Sequence, residues 1–155
     1  MSTRLRYFMP VVLALSALPA YADMIGVVIA VADGDTLTVQ VDQARVKVRL
    51  VDIDAPELKQ TFGDQARRSL TELCLNKTAT LEERGKDRYG RTLARVHCDG
   101  VDANAEQVQK GMAWVFVRYA PKDSPLYGLE VAAKLSKQGV WEDDEPVPPW
   151  EWRKH

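Results

Sequence analysis

Valine, isoleucine and threonine dominate residues 24–41, and the run breaks once, at Ala32-Asp33-Gly34. Side chains of this kind suit a pleated, half-buried backbone, so the segment predicts two strands joined by a turn. Val46, Val48, Leu50 and Ile53 then alternate approximately with Lys47, Arg49 and Asp52, the period of a strand with one buried face. That strand ends at Ala55-Pro56, because proline has no N–H to donate to a ladder. Over residues 63–76 the period lengthens. Ala66, Leu70 and Leu73 fall on one helical stripe, with Arg67, Arg68 and Glu72 off it. Residues 78–83 and 92–98 read as two further strands, linked by a charged turn over 84–90. Asp102 is placed to cap a second helix with Ala105, Val108 and Met112 on its buried side, stopping at Gly111 or just beyond. Ser124-Pro125 opens a third helix, which closes near Gly139. Residues 142–155 turn acidic and then proline- and tryptophan-rich, and predict an extended tail.

Five strands, with one helix after the third and two after the fifth, make an α+β chain that is mostly β. The order suits a five-stranded, Greek-key OB-fold barrel with three helices packed on it. A parallel sheet needs more helical crossovers than this chain offers.

The N-terminal segment stands apart from that domain. Arg4 and Arg6 precede an uncharged apolar stretch over 11–18, and Ala20-Tyr21-Ala22 supplies a small-x-small cleavage pattern. Residues 1–22 therefore predict a cleavable signal peptide, residues 23–141 the folded domain and residues 142–155 its tail. The apolar run is too short to span a bilayer, so no stable membrane association is expected after cleavage. The exported product would be periplasmic or secreted. Cleavage takes Lys plus Arg from 21 to 19 against 22 Asp plus Glu, and the formal charge from −1 to −3. An acidic domain does not grip a polyanion by bulk charge, so any contact with nucleic acid must be local or assisted by a cation. Hydrophobic residues at 46% and charged residues at 28% exclude a disordered chain. Cys74 and Cys98 would be buried thiols in a reducing compartment; export makes one structural disulfide the expectation.

Three stations concentrate the chemistry: Asp33-Gly34-Asp35-Thr36, the stretch from Arg49 through Asp52, Asp54, Ala55 and Pro56 to Glu57, and Asp87-Arg88-Tyr89-Gly90-Arg91. Taken singly they read as an ordinary turn, a solvated strand end and a polar hairpin. Together they hold what phosphodiester cleavage needs. Paired aspartates suit a hard divalent cation, guanidinium groups neutralise a charged transition state, and a further carboxylate holds or deprotonates water. The histidines, His97 and His155, are poorly placed for a histidine-activated nucleophile, and two separated cysteines do not make a zinc site.

In order and spacing, the three stations resemble the staphylococcal nuclease family, over about Gly26 to Trp141 and with Gly63-Asp64-Gln65-Ala66 between the second and third. The resemblance implies calcium-dependent hydrolysis of DNA and RNA, typically leaving 3′-phosphate ends, and implies no protein partner. By it, Asp35 and Asp54 are calcium ligands, together with the backbone carbonyl of Ala55. Arg49 and Arg91 are the catalytic arginines, Glu57 acts on the attacking water, and Asp33 is a supporting acid. Arg88 and Tyr89 lie beside the nucleotide phosphate and Tyr119 in the nucleotide pocket. Val117 stands where another pocket tyrosine is found, which bears on base stacking and not on cleavage. The rival reading is an OB-fold module that binds nucleic acid without cutting it; a pure binder has no physical need for all five key side chains. Trp150 and Trp152 are expected to fold against the barrel or stay mobile rather than stack on bases, and Trp114 and Trp141 to sit in or beside the core.

Overall fold

The computed structural model describes residues 23–155, so the segment read as a signal peptide, 1–22, lies outside the described residues. Its strands and helices follow the order β1 (Met24–Val31), β2 (Thr36–Val41), β3 (Ala44–Leu50), β4 (Ile53–Asp54), α1 (Gly63–Cys74), β5 (Thr78–Lys86) and β6 (Thr92–Cys98). There follow β7 (Val101–Asp102), α2 (Ala103–Gln109), β8 (Trp114–Val115), α3 (Leu126–Leu135), a 3₁₀ turn (Gly139–Glu142) and α4 (Pro149–Trp152).

The long strands pair in the order β3-β2-β1-β5-β6, and β3 and β6 join in parallel at Val48↔Thr92 and Leu50↔Ala94. That closing pair turns the sheet into a five-stranded barrel, which removes the exposed edges an open sheet would carry. Val28, Leu37, Val39, Val48, Leu50, Leu81 and Val96 fill it and are fully buried. On β6, Thr92, Ala94, Val96 and Cys98 point inward at every second residue, the alternation that the sequence shows.

The expected fold is thus present, with additions. β4, β7 and β8 are two residues long, too short to leave a periodic signal, and β4 pairs with β8 at Ile53↔Val115 and Asp54↔Trp114. Cys74 and Cys98 form the expected disulfide, tying the end of α1 to the end of β6. The buried face of α2 is Ala103, Asn104, Gln107 and Val108, rotated from the expected Ala105, Val108 and Met112, which leaves Ala105 and Met112 at the core edge. Two buried amides account for the rotation, and both hold loops of the site.

Residues 142–155 are not the extended tail the composition predicts. Pro149 occupies the first turn of α4, where its fixed φ suits a helix start, and is buried. Trp150 stacks on Phe116 with ring centroids 5.4 Å apart and planes at 8°. Burial of Pro149 and stacking of half-buried Trp150 outweigh the acidic run Asp143-Asp144-Glu145, which stays exposed. Trp114 is buried and meets Trp141 edge-on at 5.3 Å, the core-edge placement expected of both.

Candidate active site

Asp35 ends the turn between β1 and β2. Its N–H bonds to Asp33 Oδ1 at 3.0 Å, a local turn that fixes both carboxylates on one side. Gly34 is required there for space: a Cβ at that position would lie 2.6 Å from the Ala55 Cβ and 2.7 Å from the Ala66 Cβ. The turn is therefore pressed onto the β4 end and onto α1, and Gln107 Nε2 locks it by donating to Gly34 O at 2.7 Å and Ala66 O at 3.0 Å. Gln107 is fully buried, and its Oε1 takes the Ser69 hydroxyl at 2.6 Å.

Arg49 stands on β3 opposite Thr36 of β2, which places its side chain beside Asp35. Nε lies 3.1 Å from Asp35 Oδ1, and Nη2 donates to Asp54 Oδ1 at 3.1 Å. Nη1 donates to Ile53 O at 2.9 Å and to Leu50 O. The planar fork of donors is thereby fixed on three sides. Asp54 is held in turn by the β4–β8 pairing, and its side chain is only 2% exposed. Ala55 N–H closes the ring by donating to Asp35 Oδ2 at 2.7 Å. Asn104 supports the loop before Asp54, donating to Val51 O at 2.8 Å while accepting the Val96 N–H at 3.0 Å.

Burial pushes the Asp35 carboxyl up to about 7; Arg49 and the Ala55 N–H oppose this, while Asp33 and Asp54 add to it. The pocket is thus short of positive charge. Asp33, Asp35, Asp54 and Glu57 face two guanidinium groups, those of Arg49 and Arg153. Arg153, just beyond α4, donates through Nη2 to Asp54 Oδ2 at 2.6 Å and through Nη1 to Asp54 Oδ1 at 3.2 Å. Nη1 also reaches Glu57 Oε1 at 2.7 Å, and this is how Glu57 joins the cluster. Bonds to Asp54 and then Glu57 raise the guanidinium further above its ordinary value, against the effect of partial burial.

Arg91 is held differently. The turn between β5 and β6 folds around Asp87, whose Oδ1 accepts the N–H of Tyr89 at 2.9 Å and of Arg91 at 3.0 Å, while Oδ2 takes Arg91 Nε at 2.7 Å. Desolvation would raise the Asp87 carboxyl, yet the bonds from Arg91 and Tyr89 hold it below the ordinary range. Arg91 Nη1 is 3.5 Å from Thr36 Oγ1, which donates to Asp35 Oδ1 at 3.2 Å. A threonine hydroxyl therefore links the second arginine to the acids. Arg88 and Tyr89 form the exposed hairpin tip, the guanidinium carbon 4.8 Å from the ring centroid, and make no bond to the acids. Tyr119 lies in a separate aromatic group, edge-on to Phe116 at 5.0 Å, and Val117 is exposed beside it.

Asp33, Asp35, Arg49, Asp54, Ala55, Glu57 and Arg91 thus converge, whereas Arg88, Tyr89 and Tyr119 stand outside the cluster. Among the described residues, no three His, Cys, Asp or Glu side chains form a preformed metal cage. Asp35 and Asp54 still fit a hard divalent cation in donor type and charge: both are buried and offer carboxylate oxygens, and Asp54 already attracts the cationic Arg153. Gln107, Asn104 and Arg153 escape a reading by motif. The amides look like ordinary helix polar residues, and Arg153 sits 99 residues from Asp54.

Residues 47–143 match the family model described as "Staphylococcal nuclease homologue". The chain is 38% identical over 160 residues to a "Micrococcal nuclease" of Shigella flexneri, covering 97% of this chain and 92% of that protein. It is 41% identical over 151 residues to an "Uncharacterized endonuclease" of Escherichia coli, covering 96% and 98%. A further relative, "Protein ParB" of Escherichia coli, is 39% identical over 148 residues, covering 89% and 84%.

Proposed function

This chain belongs to the staphylococcal nuclease family, and from that premise we propose that it is an exported, Ca²⁺-dependent endonuclease that hydrolyses DNA and RNA, leaving 3′-phosphate ends. The observation that carries the reading is the buried pair Asp35 and Asp54, bridged by Arg49 and linked through Thr36 to Arg91. A binding surface has no use for two buried carboxylates held side by side, since burying charge is costly unless it serves a further task.

Asp35, Asp54 and the Ala55 carbonyl would hold the ion. An ion held there would supply positive charge to offset the acids and a bound phosphate. Arg49, preorganised on the barrel wall, and Arg91, swung in from the hairpin, neutralise the charge that builds on the phosphate oxygens. Each such donor contributes on the order of 3–4 kcal/mol to the transition state. Glu57 orients a water and takes its proton as the water oxygen bonds to phosphorus. The bond to the 5′ oxygen breaks in the same displacement, that oxygen keeps the bonding pair and takes a proton from solvent to leave as a 5′-hydroxyl, and the phosphate stays on the 3′ side. Arg88, Tyr89 and Tyr119 seat the flanking nucleotide, and Val117 weakens base stacking there. The Cys74–Cys98 disulfide supports an oxidising compartment, periplasmic or extracellular, after removal of residues 1–22.

The test is digestion of end-labelled single-stranded DNA and RNA by residues 23–155, with Ca²⁺ or a chelator, and end-group analysis of the products. Cutting of both polymers only with Ca²⁺, with 3′-phosphate products, is expected. Binding of the polymers by folded, Ca²⁺-loaded protein without cleavage would leave a non-catalytic module.

A further inference from the structure

The C-terminal segment is anchored across the site at several points. Pro149 is buried, Trp150 lies flat on Phe116, and Gln60 Nε2 donates to Val147 O. The anchors deliver Arg153 onto both oxygens of Asp54 and one oxygen of Glu57. These acids have the two tasks that the proposed function assigns, cation binding and water activation. With Arg153 in place neither task can be done: a second cation would meet a guanidinium at the same Asp54 oxygens, and Glu57 is bonded to arginine instead of water.

We propose that residues 146–153 form an autoinhibitory strap, in which Arg153 is a tethered cation that competes with the divalent ion for Asp54 and withholds Glu57 until the ion displaces it. The inference rests on the reading of Asp35 and Asp54 as ion ligands. A role for Arg153 as a third phosphate clamp fits less well, because three of its hydrogen bonds go to the acids and not toward an incoming anion. Arginine does not lose its proton in the working range, so exchange for another cation is the route by which the acids are freed. The Arg153 side chain is 43% exposed, so it can leave without disturbing the core. Trp150, three residues earlier, would keep it nearby at an effective concentration on the order of millimolar. The acid site would then bind Ca²⁺ with an affinity lowered by the fraction of time the strap is closed.

Calorimetric titration of Ca²⁺ into wild type, Arg153→Ala and Trp150→Ala tests this without reference to activity. If the strap is closed about 90% of the time, the measured affinity is reduced about tenfold, and Arg153→Ala restores it. Trp150→Ala, which keeps the charge and loses the anchor, should shift affinity the same way by a smaller factor. Equal affinity in wild type and Arg153→Ala overturns the strap and leaves the ion site standing. Weaker binding in Arg153→Ala also overturns it, and makes Arg153 a positioning residue for Asp54. Absence of binding in all three proteins overturns the strap together with the Ca²⁺ reading.

Discussion

Arg49 stands on the barrel wall between two buried carboxylates, whereas Arg91 stands at the foot of an exposed hairpin and leans on Asp87. In the proposed mechanism both neutralise the same phosphate. Arg49 is inseparable from the fold, since it offsets the charge of Asp35 and Asp54 and its fork closes on the carbonyls of Leu50, ending β3, and Ile53, opening β4. Arg91 belongs to a turn that Asp87 organises by itself, and only the Thr36 hydroxyl ties it to the acids. One region is fixed before substrate arrives; the other is a local unit that can adjust to it. Mutation should therefore separate stability from activity at one arginine and not at the other.

The largest effect is expected at Arg49. Arg49→Ala leaves buried Asp35 without its guanidinium partner and Asp54 with Arg153 alone, and should cost about 3 kcal/mol of stability at neutral pH together with activity. Arg91→Ala should lower kcat by about 10²–10³-fold with thermal stability nearly unchanged. Equal destabilisation by the two changes, in denaturant titrations beside kcat, would dissolve the contrast. Next in size is the far side of the barrel. Cys98→Ser with Cys74→Ser should cost about 3 kcal/mol, from the loop that the bond closes, and leave kcat at room temperature intact.

A smaller effect of opposite sign is expected at Asp35. Its folded-state carboxyl is raised from 3.8 to about 7, so the stability it contributes is full below pH 3.8 and is lost as pH rises to about 7. Without Ca²⁺, Asp35→Asn should be at least as stable as wild type at pH 8, with a flatter decline between pH 4 and 7. The gain is limited because the amide bonds less well to Arg49 and the Ala55 N–H. A clear loss of stability at pH 8 would mean that the Asp35 carboxylate is not held against its own burial. Smallest is Asp87→Ala, which frees Arg91 in a partly exposed turn. About 1 kcal/mol of stability and a partial loss of kcat, less than in Arg91→Ala, are expected from unfolding and rate measurements.

The same contrast explains what was legible in the sequence. The barrel strands could be read because Val46, Val48 and Leu50 alternate with polar residues, and the period-two pattern is local. The hairpin with Arg91 could be read because Asp87, Tyr89, Gly90 and Arg91 act within five residues. The turn at Asp33-Gly34-Asp35 was visible as a turn, but its glycine is there because Ala55 and Ala66 press on it. Gln107 and Asn104 were hidden, since a buried amide on a helix becomes informative only once the carbonyls it satisfies are known. Arg153 was hidden most completely. Proline and acidic residues suggest a solvated tail, and nothing local tells that Trp150 has Phe116 to lie on.

Catalysis by the converged acids and arginines is tested most directly by single-turnover cleavage of single-stranded DNA by wild type, Glu57→Ala and Arg91→Ala, with Ca²⁺ and with a chelator. Cutting by wild type that requires Ca²⁺ and collapses in both variants, while their folds and melting temperatures hold, is the predicted result. Cleavage that survives in either variant, or that proceeds equally with the chelator, would contradict it.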